Sequence, residues 1–515
     1  MTSIFTAAQM THLESIHVAA GKNTWTGLMD RAAIAVVDAL RERFADGLPE
    51  RAHVLCGPGN NGGDGYGIAS SLHDLNLAVH LWHYGSADAC SESARIMQGR
   101  WKKRGPVKPL ASLEAGTVSP GDLVIDAVFG IGLNKPIADD LHGILMALPT
   151  DCHRVAVDIL SGINADTGAY LGPGGRESPR PFHLTITFEG MKPGHVLGVG
   201  AVLSGSVQTV SIGLEEECAT ILKSGDLSLR LLNDAALPWQ QHLFKNPLNH
   251  KYDHGHVLVL AGGGPTPSCG QGGAARLAAG AALRVGAGLV TLGAHHAALA
   301  DHAVRRNALM LVPISNEDDL AAFLADDRIN AVVAGPGFGR GRRTRTLVQK
   351  LLSLNRKAVL DADALTSFAG RPQELTGQLN GEIVLTPHEG EFRRIFPGYL
   401  EEADSRNGAV QSAAETSRAT VVLKGQDTLI ASPGRTASVA FPRNRMRSAW
   451  LATAGSGDVL AGLVGGFMAR GADAHTAACM AVQIHHDAAA VFGPGLTADD
   501  LDGALAKAIA DRCRM

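Results

Sequence analysis

Apolar positions recur every three or four residues across residues 5–45, through Leu28, Ala32 and Val36, and predict helix there. From residue 52 the pattern changes to short apolar runs separated by glycine-bearing loops and helical stretches. Residues 52–56, 77–82, 123–128 and 154–159 read as strands. The pattern weakens over residues 215–250, where Pro238 and Pro247 flank polar positions. A second series starts at residues 256–260, enters Gly262-Gly263-Gly264, and continues through strands at 331–334, 358–360, 383–385 and 420–423. Strands alternating with helices predict an α/β fold in two domains, 1–220 and 235–515, each a three-layer α/β/α unit. Asp126 and Asp158 fall near strand C-terminal ends, the edge at which open parallel sheets bind ligands.

A chain of 515 residues exceeds what one core usually covers, which agrees with two domains. The 61 glycines and only 5% aromatic residues suit loop-rich α/β packing. A net charge of −4 provides no basic field, which argues against nucleic acid or an anionic membrane as partner. Seven cysteines without a CxxC pair fit a reducing compartment, and neither a signal peptide nor a membrane-length apolar run is read, so a cytoplasmic location is expected.

Candidate chemistry begins at Gly57-Pro58-Gly59-Asn60-Asn61-Gly62-Gly63-Asp64-Gly65. Glycines let backbone N–H groups approach an anion closely. The loop satisfies GxGxxG, yet Asp64 would repel a pyrophosphate placed as in an ordinary dinucleotide fold, and no acid stands ready for the ribose. A tight structural turn is the bland alternative, as helix capping or turn formation is for Asp126 and Asp158.

Together with residues 125–133, Val157-Asp158-Ile159-Leu160-Ser161-Gly162, Thr185-Ile186-Thr187-Phe188 and Met191-Lys192-Pro193-Gly194, this loop resembles the YjeF N-terminal family over about residues 5–215. Those proteins are Rossmann-like epimerases of hydrated NAD(P)H, called NAD(P)HX. The resemblance implies that Asn60, Asn61, Gly62, Gly63 and Asp64, with Gly130, Ile131, Gly132, Leu133, Asn134, Lys135 and Pro136, wrap the dinucleotide. It implies a potassium ion on Asn61, Asp126 and Ser161, and proton transfer by Asp158. Leu160 stands where the family usually has proline, which predicts a less rigid loop around Ser161.

In the second half, Ala454-Gly455-Ser456-Gly457-Asp458 precedes an apolar helical run, so the glycines fall at a helix N-terminus with Asp458 beside them. Asp458 as a mere N-cap is the alternative. This segment resembles the ribokinase-like superfamily. His250-Lys251, residues 272–277, 284–290 and 335–339, Leu360-Asp361-Ala362-Asp363, Thr386-Pro387-His388-Glu389 and Leu423-Lys424-Gly425-Gln426-Asp427-Thr428 narrow it to the YjeF C-terminal family of NAD(P)HX dehydratases, over about residues 235–510. The resemblance implies that Lys424, Gly425, Gln426, Asp427, Thr428 and Gly457 contact a nucleotide, and that Ala274, Gly337, Gly339 and His388 line the hydrate pocket. Asp458 would be the catalytic acid/base. The family's usual asparagine before this segment is replaced by Ser448-Ala449-Trp450, and His388-Glu389 lacks the second histidine of a zinc HExxH motif.

The two resemblances imply one bifunctional repair enzyme, with ADP and Mg²⁺ at the second site. The first domain would interconvert R and S hydrates; the second would phosphorylate the S hydrate from ADP and eliminate phosphate to regenerate NAD(P)H. Related proteins also suggest a homo-oligomer. An ATP-dependent kinase of a vitamin or sugar hydroxyl, with a non-catalytic N-terminal ligand-binding module, is the alternative.

Overall fold

The structure is a computed structural model that describes residues 3–86, 90–114, 116–175, 177–225, 227–262, 272–304, 307–442 and 445–514. Gly263, Gly264 and Cys269 lie outside the described residues. The chain divides into two compact units, residues 1–230 and 231–515.

The first unit holds seven strands: β1 (Arg51–Cys56), β2 (Ala78–His83), β3 (Val107–Pro109), β4 (Leu123–Ala127), β5 (His153–Val157), β6 (Leu184–Phe188) and β7 (Ser206–Val210). They form a parallel sheet in the order β3-β2-β1-β4-β5-β6-β7. The central strands are buried along almost their whole length, because helices cover both faces and leave no solvated side. That burial explains continuous apolar runs in place of alternation.

The second unit holds β8 (Arg230–Leu231), which begins at the division itself, then β9 (His256–Leu260), β10 (Leu289–Ala294), β11 (Met310–Pro313), β12 (Ile329–Ala334), β13 (Ala358–Leu360), β14 (Ile383–Leu385), β15 (Thr420–Leu423), β16 (Leu429–Ser432) and β17 (Arg435–Val439). Their order is β11-β10-β9-β12-β13-β14-β15-β16-β17-β8. Strands β11 through β15 run parallel, and β15–β16–β17 finish as an antiparallel meander.

Both sheets reverse their winding at one place, β1/β4 in the first unit and β9/β12 in the second. A crevice opens at such a switch point, beyond the strand C-terminal ends. The loops there touch backbone to backbone. A Cβ on Gly57 would lie 1.9 Å from the Val128 carbonyl oxygen, and one on Gly262 would lie 1.9 Å from the Gly337 oxygen. Any side chain would force the loops apart. Among the described residues, no single helix is long and apolar enough to cross a membrane.

Candidate functional sites at the two switch points

In the first unit the chain leaves β1 through the glycine loop into the Asn60–Asp74 helix, whose N-cap is Gly59. No side chain among the described residues caps that end, so its first N–H groups face the crevice. Asn60 is held to the side, accepting from Ser91 Oγ at 2.8 Å. Asn61 is only 8% exposed, and both its side-chain polar atoms lack a hydrogen-bond partner among the described residues. It packs against Gly130, where a Cβ would sit 3.2 Å from that of Asn61. A buried amide without partners is costly unless something absent from the chain satisfies it. Residues 132 and 134–136 of the second loop are exposed, with Ile131 and Leu133 half-buried.

Asp126 is fully buried and clasps the loops together. It accepts from Ser161 N at 2.7 Å, Ser161 Oγ at 2.6 Å and Val128 N at 3.2 Å. Burial raises its carboxyl, and these hydrogen bonds pull it back only in part. Leu160 is fully buried in the apolar cluster with Ile159 and Ile163. Core packing and the two bonds from Ser161 to Asp126 therefore hold the loop that lacks proline.

Asp158 follows β5 with φ of 62°, a left-handed conformation that costs of the order of 1 kcal/mol or more for a non-glycine residue. Its surroundings hold it there. Asp158 N donates to Ile186 O at 2.7 Å, and its own carbonyl accepts from His195 Nε2 at 2.8 Å. The carboxylate accepts from Thr187 Oγ1 at 2.9 Å and from Lys192 Nζ at 2.6 Å. Lys192 is 1% exposed and also donates to Thr187 Oγ1 at 2.7 Å. Burial opposes ionisation of Asp158, but the Lys192 charge and hydrogen bond, with His195 and Thr187, hold its carboxyl below the usual range. The surroundings therefore favour the ionised form of Asp158.

Two further acids interact with it electrostatically. Burial, Asp158 and Glu14 drive the Asp64 carboxyl well above its ordinary value. Burial and Asp158 push Glu14 up to about 7, with Lys192 pulling the other way. The sequence reading passed over Glu14 and gave Lys192 no role. Glu14 lies in the Ala7–Ala19 helix, whose buried residues are Met10, Leu13 and His17.

In the second unit, Gly455 (φ 90°) is the N-cap of the Ser456–Ala469 helix, and no side chain among the described residues caps it. Asp458 is the third helical residue, not the N-cap, so the capping alternative does not hold. Lys424, just after β15, lies against Gly457, where a Cβ would be 3.1 Å from its Nζ. Its ammonium donates to Asp361 Oδ1 at 2.6 Å, at the end of β13. Burial works against the charge on Lys424, but Asp361 and Glu391 outweigh it and raise the ammonium. Burial and Asp361 push Asp458 up to about 7, Lys424 opposing, with Asp363 and Glu391 adding to the rise.

Around this pair, Asp363 accepts from Gly339 N at 2.9 Å and so fixes the loop after β12, in which Gly337 and Gly339 both have positive φ. His388 caps the Glu389–Ile395 helix through Nδ1 and remains 56% exposed on the side chain. Ala274 is half-buried in the Gly272–Arg284 helix. The segment after β15 divides its residues: Gly425 and Gln426 are exposed, Thr428 donates to Gly425 O at 3.1 Å, and buried Asp427 meets Arg406 at 3.5 Å. A cavity of about 280 Å³ beside the Gly455 loop is lined by Ala449, Trp450, Ala452, Thr453 and Leu496. A larger cavity of about 420 Å³ lies in the first unit at the N-terminal ends of β5 and β6, the sheet edge opposite the glycine loop, lined by Arg43, His153 and His183 among others. Among the described residues no group of three or more His, Cys, Asp or Glu side chains is arranged to hold a metal ion.

Two α/β units, each with an open glycine-rich helix start and a lysine bonded to an aspartate beyond the C-terminal ends of its strands, define a two-site enzyme. The family described as YjeF-related protein N-terminus matches residues 26–194, and that described as NAD(P)H-hydrate dehydratase matches residues 257–509. The bifunctional NAD(P)H-hydrate repair enzyme Nnr of Salinibacter ruber is 32% identical, over 94% of this chain and 92% of its own. That of Gloeobacter violaceus is 34% identical, over 90% and 88%. A solved ADP/ATP-dependent NAD(P)H-hydrate dehydratase from Bacillus subtilis, crystallised with ATP and Mg²⁺, is 24% identical with a TM-score of 0.42, covering 54% of this chain and 99% of that one. The chain belongs to the bifunctional NAD(P)H-hydrate repair enzyme family.

Proposed function

We propose that the first unit interconverts R- and S-NAD(P)HX and that the second converts S-NAD(P)HX to NAD(P)H at the expense of ADP, releasing AMP and phosphate. Membership of the family supports both activities. The observation that carries the second is the place of Asp458 at an open helix start, where Lys424 lies against Gly457 and burial pushes the Asp458 carboxyl up to about 7. In its ionised form Asp458 takes the hydroxyl proton while the hydroxyl oxygen attacks the terminal phosphorus of ADP and AMP departs. The Gly457 region and Lys424 hold the anion. Phosphate then leaves with the C–O electron pair, the ring nitrogen supplies electrons, and loss of a proton from the neighbouring carbon restores the reduced ring.

In the first unit the open loop after β1 would take the dinucleotide phosphates, and Asp158 would present its charge to the hydrated ring. Asn61, Asp126 and Ser161 supply the oxygen donors that suit potassium, and the partnerless buried amide of Asn61 fits such an ion. When bound, potassium would offset phosphate charge. Mg²⁺ at the second site would travel with the nucleotide phosphates, as it commonly does. The same reading extends to a cytoplasmic homo-oligomer acting on small molecules; the net charge of −4 supports a protein that engages neither nucleic acid nor membrane.

The test is the return of reduced-nicotinamide absorbance when purified protein meets an R/S hydrate mixture with ADP and Mg²⁺. Recovery from both epimers is expected. Recovery from the S fraction alone removes the first activity, and no recovery with ADP or ATP removes both and favours the kinase alternative.

A further inference from the structure

The carboxylate of Asp158 has one oxygen tied to the protein and one left over. Both side-chain bonds that reach it, from Lys192 Nζ at 2.6 Å and from Thr187 Oγ1 at 2.9 Å, end on Oδ1. Oδ2 accepts from no group among the described residues, and the side chain keeps 10% of its surface exposed just beyond β5. The direction of each bond follows from donor chemistry, because an ammonium can only donate. Lys192 Nζ directs its protons to Asp158 Oδ1, to Thr187 Oγ1 at 2.7 Å, and to the carbonyls of Phe188 and Gly190 at 3.2 and 3.4 Å. The Thr187 hydroxyl thus receives a proton from Lys192 and gives its own to Asp158. The β5–β6 ladder sets Thr187 in place: Val157 pairs with Ile186, and Asp158 N donates to Ile186 O at 2.7 Å. With 0% and 1% of their surface exposed, Thr187 and Lys192 present nothing to the crevice themselves.

We propose that Thr187 is a positioning residue for hydrate epimerisation: its hydroxyl, oriented by Lys192, pins Oδ1 of Asp158 and leaves Oδ2 as the oxygen that meets the hydrated ring. This rests on the reading of the first unit given above, in which Asp158 presents its charge to that ring. Lysine alone does not fix the carboxylate. Its ammonium is a point charge on a flexible stem, able to pair with either oxygen, and an aspartate turns about χ2 with only a broad preference. A hydroxyl on the neighbouring strand adds a second bond to the same oxygen, and two separately anchored donors define a rotation that one does not. The charged and titratable groups that act on Asp158 are Lys192, His195, Asp64 and Glu14. Thr187 is its uncharged side-chain partner, so removing that hydroxyl alters no charge. The bond goes to the ionised carboxylate, and its loss raises the carboxyl.

Two variants of the full chain separate hydroxyl from shape. Thr187→Val keeps the shape and removes the hydroxyl, whereas Thr187→Ser keeps the hydroxyl and removes a methyl. Without ADP, the approach of R hydrate to the R/S mixture, over its uncatalysed rate, reads epimerisation alone. S-hydrate consumption with ADP is the internal control and should match wild type in both variants. Thr187→Val should slow epimerisation by about 10-fold or more and move the acid limb of its pH profile upward by about 1 pH unit, because a hydrogen bond to a charged acceptor is worth at least about a tenfold preference for that form. Thr187→Ser should stay within about threefold of wild type with the limb in place. A Thr187→Val rate within about threefold of wild type, or an unmoved limb, overturns the assignment. So does Thr187→Ser falling as far as Thr187→Val, which marks a packing role. Should Thr187→Val leave the first unit unfolded, Thr187→Ser decides: a wild-type rate and limb support the assignment, and loss of either overturns it. Wild type that consumes S hydrate with ADP but leaves R hydrate at its uncatalysed rate overturns the underlying reading of the first unit, and the assignment with it.

Discussion

The two switch points use the same parts and wire them oppositely. In the first unit the buried lysine is bonded to Asp158, the carboxylate expected to do the chemistry, and keeps it charged. In the second, Lys424 is bonded to a neighbour, Asp361, while burial and the Asp361 charge leave Asp458 near pH 7. A strand-end lysine thus either freezes an acid in one state or leaves it free to exchange, according to which aspartate it reaches first. Each wiring suits its proposed step. An epimerisation through a cation needs a permanent anion nearby, whereas activation of a hydroxyl needs a base that also releases its proton.

The largest expected effect comes from cutting the first connection. Lys192→Met leaves Asp158 buried, in a left-handed conformation, without its counter-charge. Breaking one side of a buried ion pair typically costs about 3–5 kcal/mol. The first unit should therefore unfold at lower denaturant than wild type, and R-hydrate consumption should be lost, while S-hydrate consumption persists. Denaturant titration followed alongside the two hydrate assays measures this. An unchanged first-unit transition would mean that the pair is not what holds Asp158.

Cutting at the second site should do the reverse for stability. Asp458 has a raised carboxyl in the folded state, so its contribution is fully present below the usual carboxylate range and is lost as pH rises towards about 7. Asp458→Asn removes that loss. The variant should match wild type at pH 4 and exceed it at pH 8 by about 1–2 kcal/mol, allowing for partial exposure. Its dehydration of S hydrate should meanwhile fall by at least about 100-fold. Chemical denaturation at both pH values decides the matter: a variant no more stable than wild type at pH 8 would remove the strained-acid account of Asp458.

The contrast also marks how far the sequence could be read. The buried central strands were legible because parallel strands covered on both faces leave unbroken apolar runs. Short or half-exposed strands such as β3, β7 and β11 carry no such run and were passed over. So were β10 and β16, which are buried and apolar but interrupted or bounded by Thr, Gly and Ser. Glycine loops announce themselves locally, so Asn61, Asp64 and Gly457 were accessible from motif and resemblance. The wiring was not. Lys192 bonds to Asp158 across 34 positions and Lys424 to Asp361 across 63, and nothing local in a sequence states that pairing.

The smallest effect tests the amide of Asn61, whose two polar atoms both lack partners among the described residues. Leucine has nearly the same shape and leaves no polar group unsatisfied, so Asn61→Leu should change stability in potassium-free buffer by less than about 1 kcal/mol. The difference should emerge on adding the ion. A cation that binds only the folded state stabilises it by RT ln(1 + [L]/Kd), about 1.4 kcal/mol at ten times Kd. Wild type should gain such an increment in potassium chloride and little in tetramethylammonium chloride at equal ionic strength, and the variant should gain it in neither. Equal gains in both salts would reduce the effect to general screening. A gain specific to potassium that survives in Asn61→Leu would place the ion elsewhere, and the buried amide would then have to answer to the dinucleotide itself.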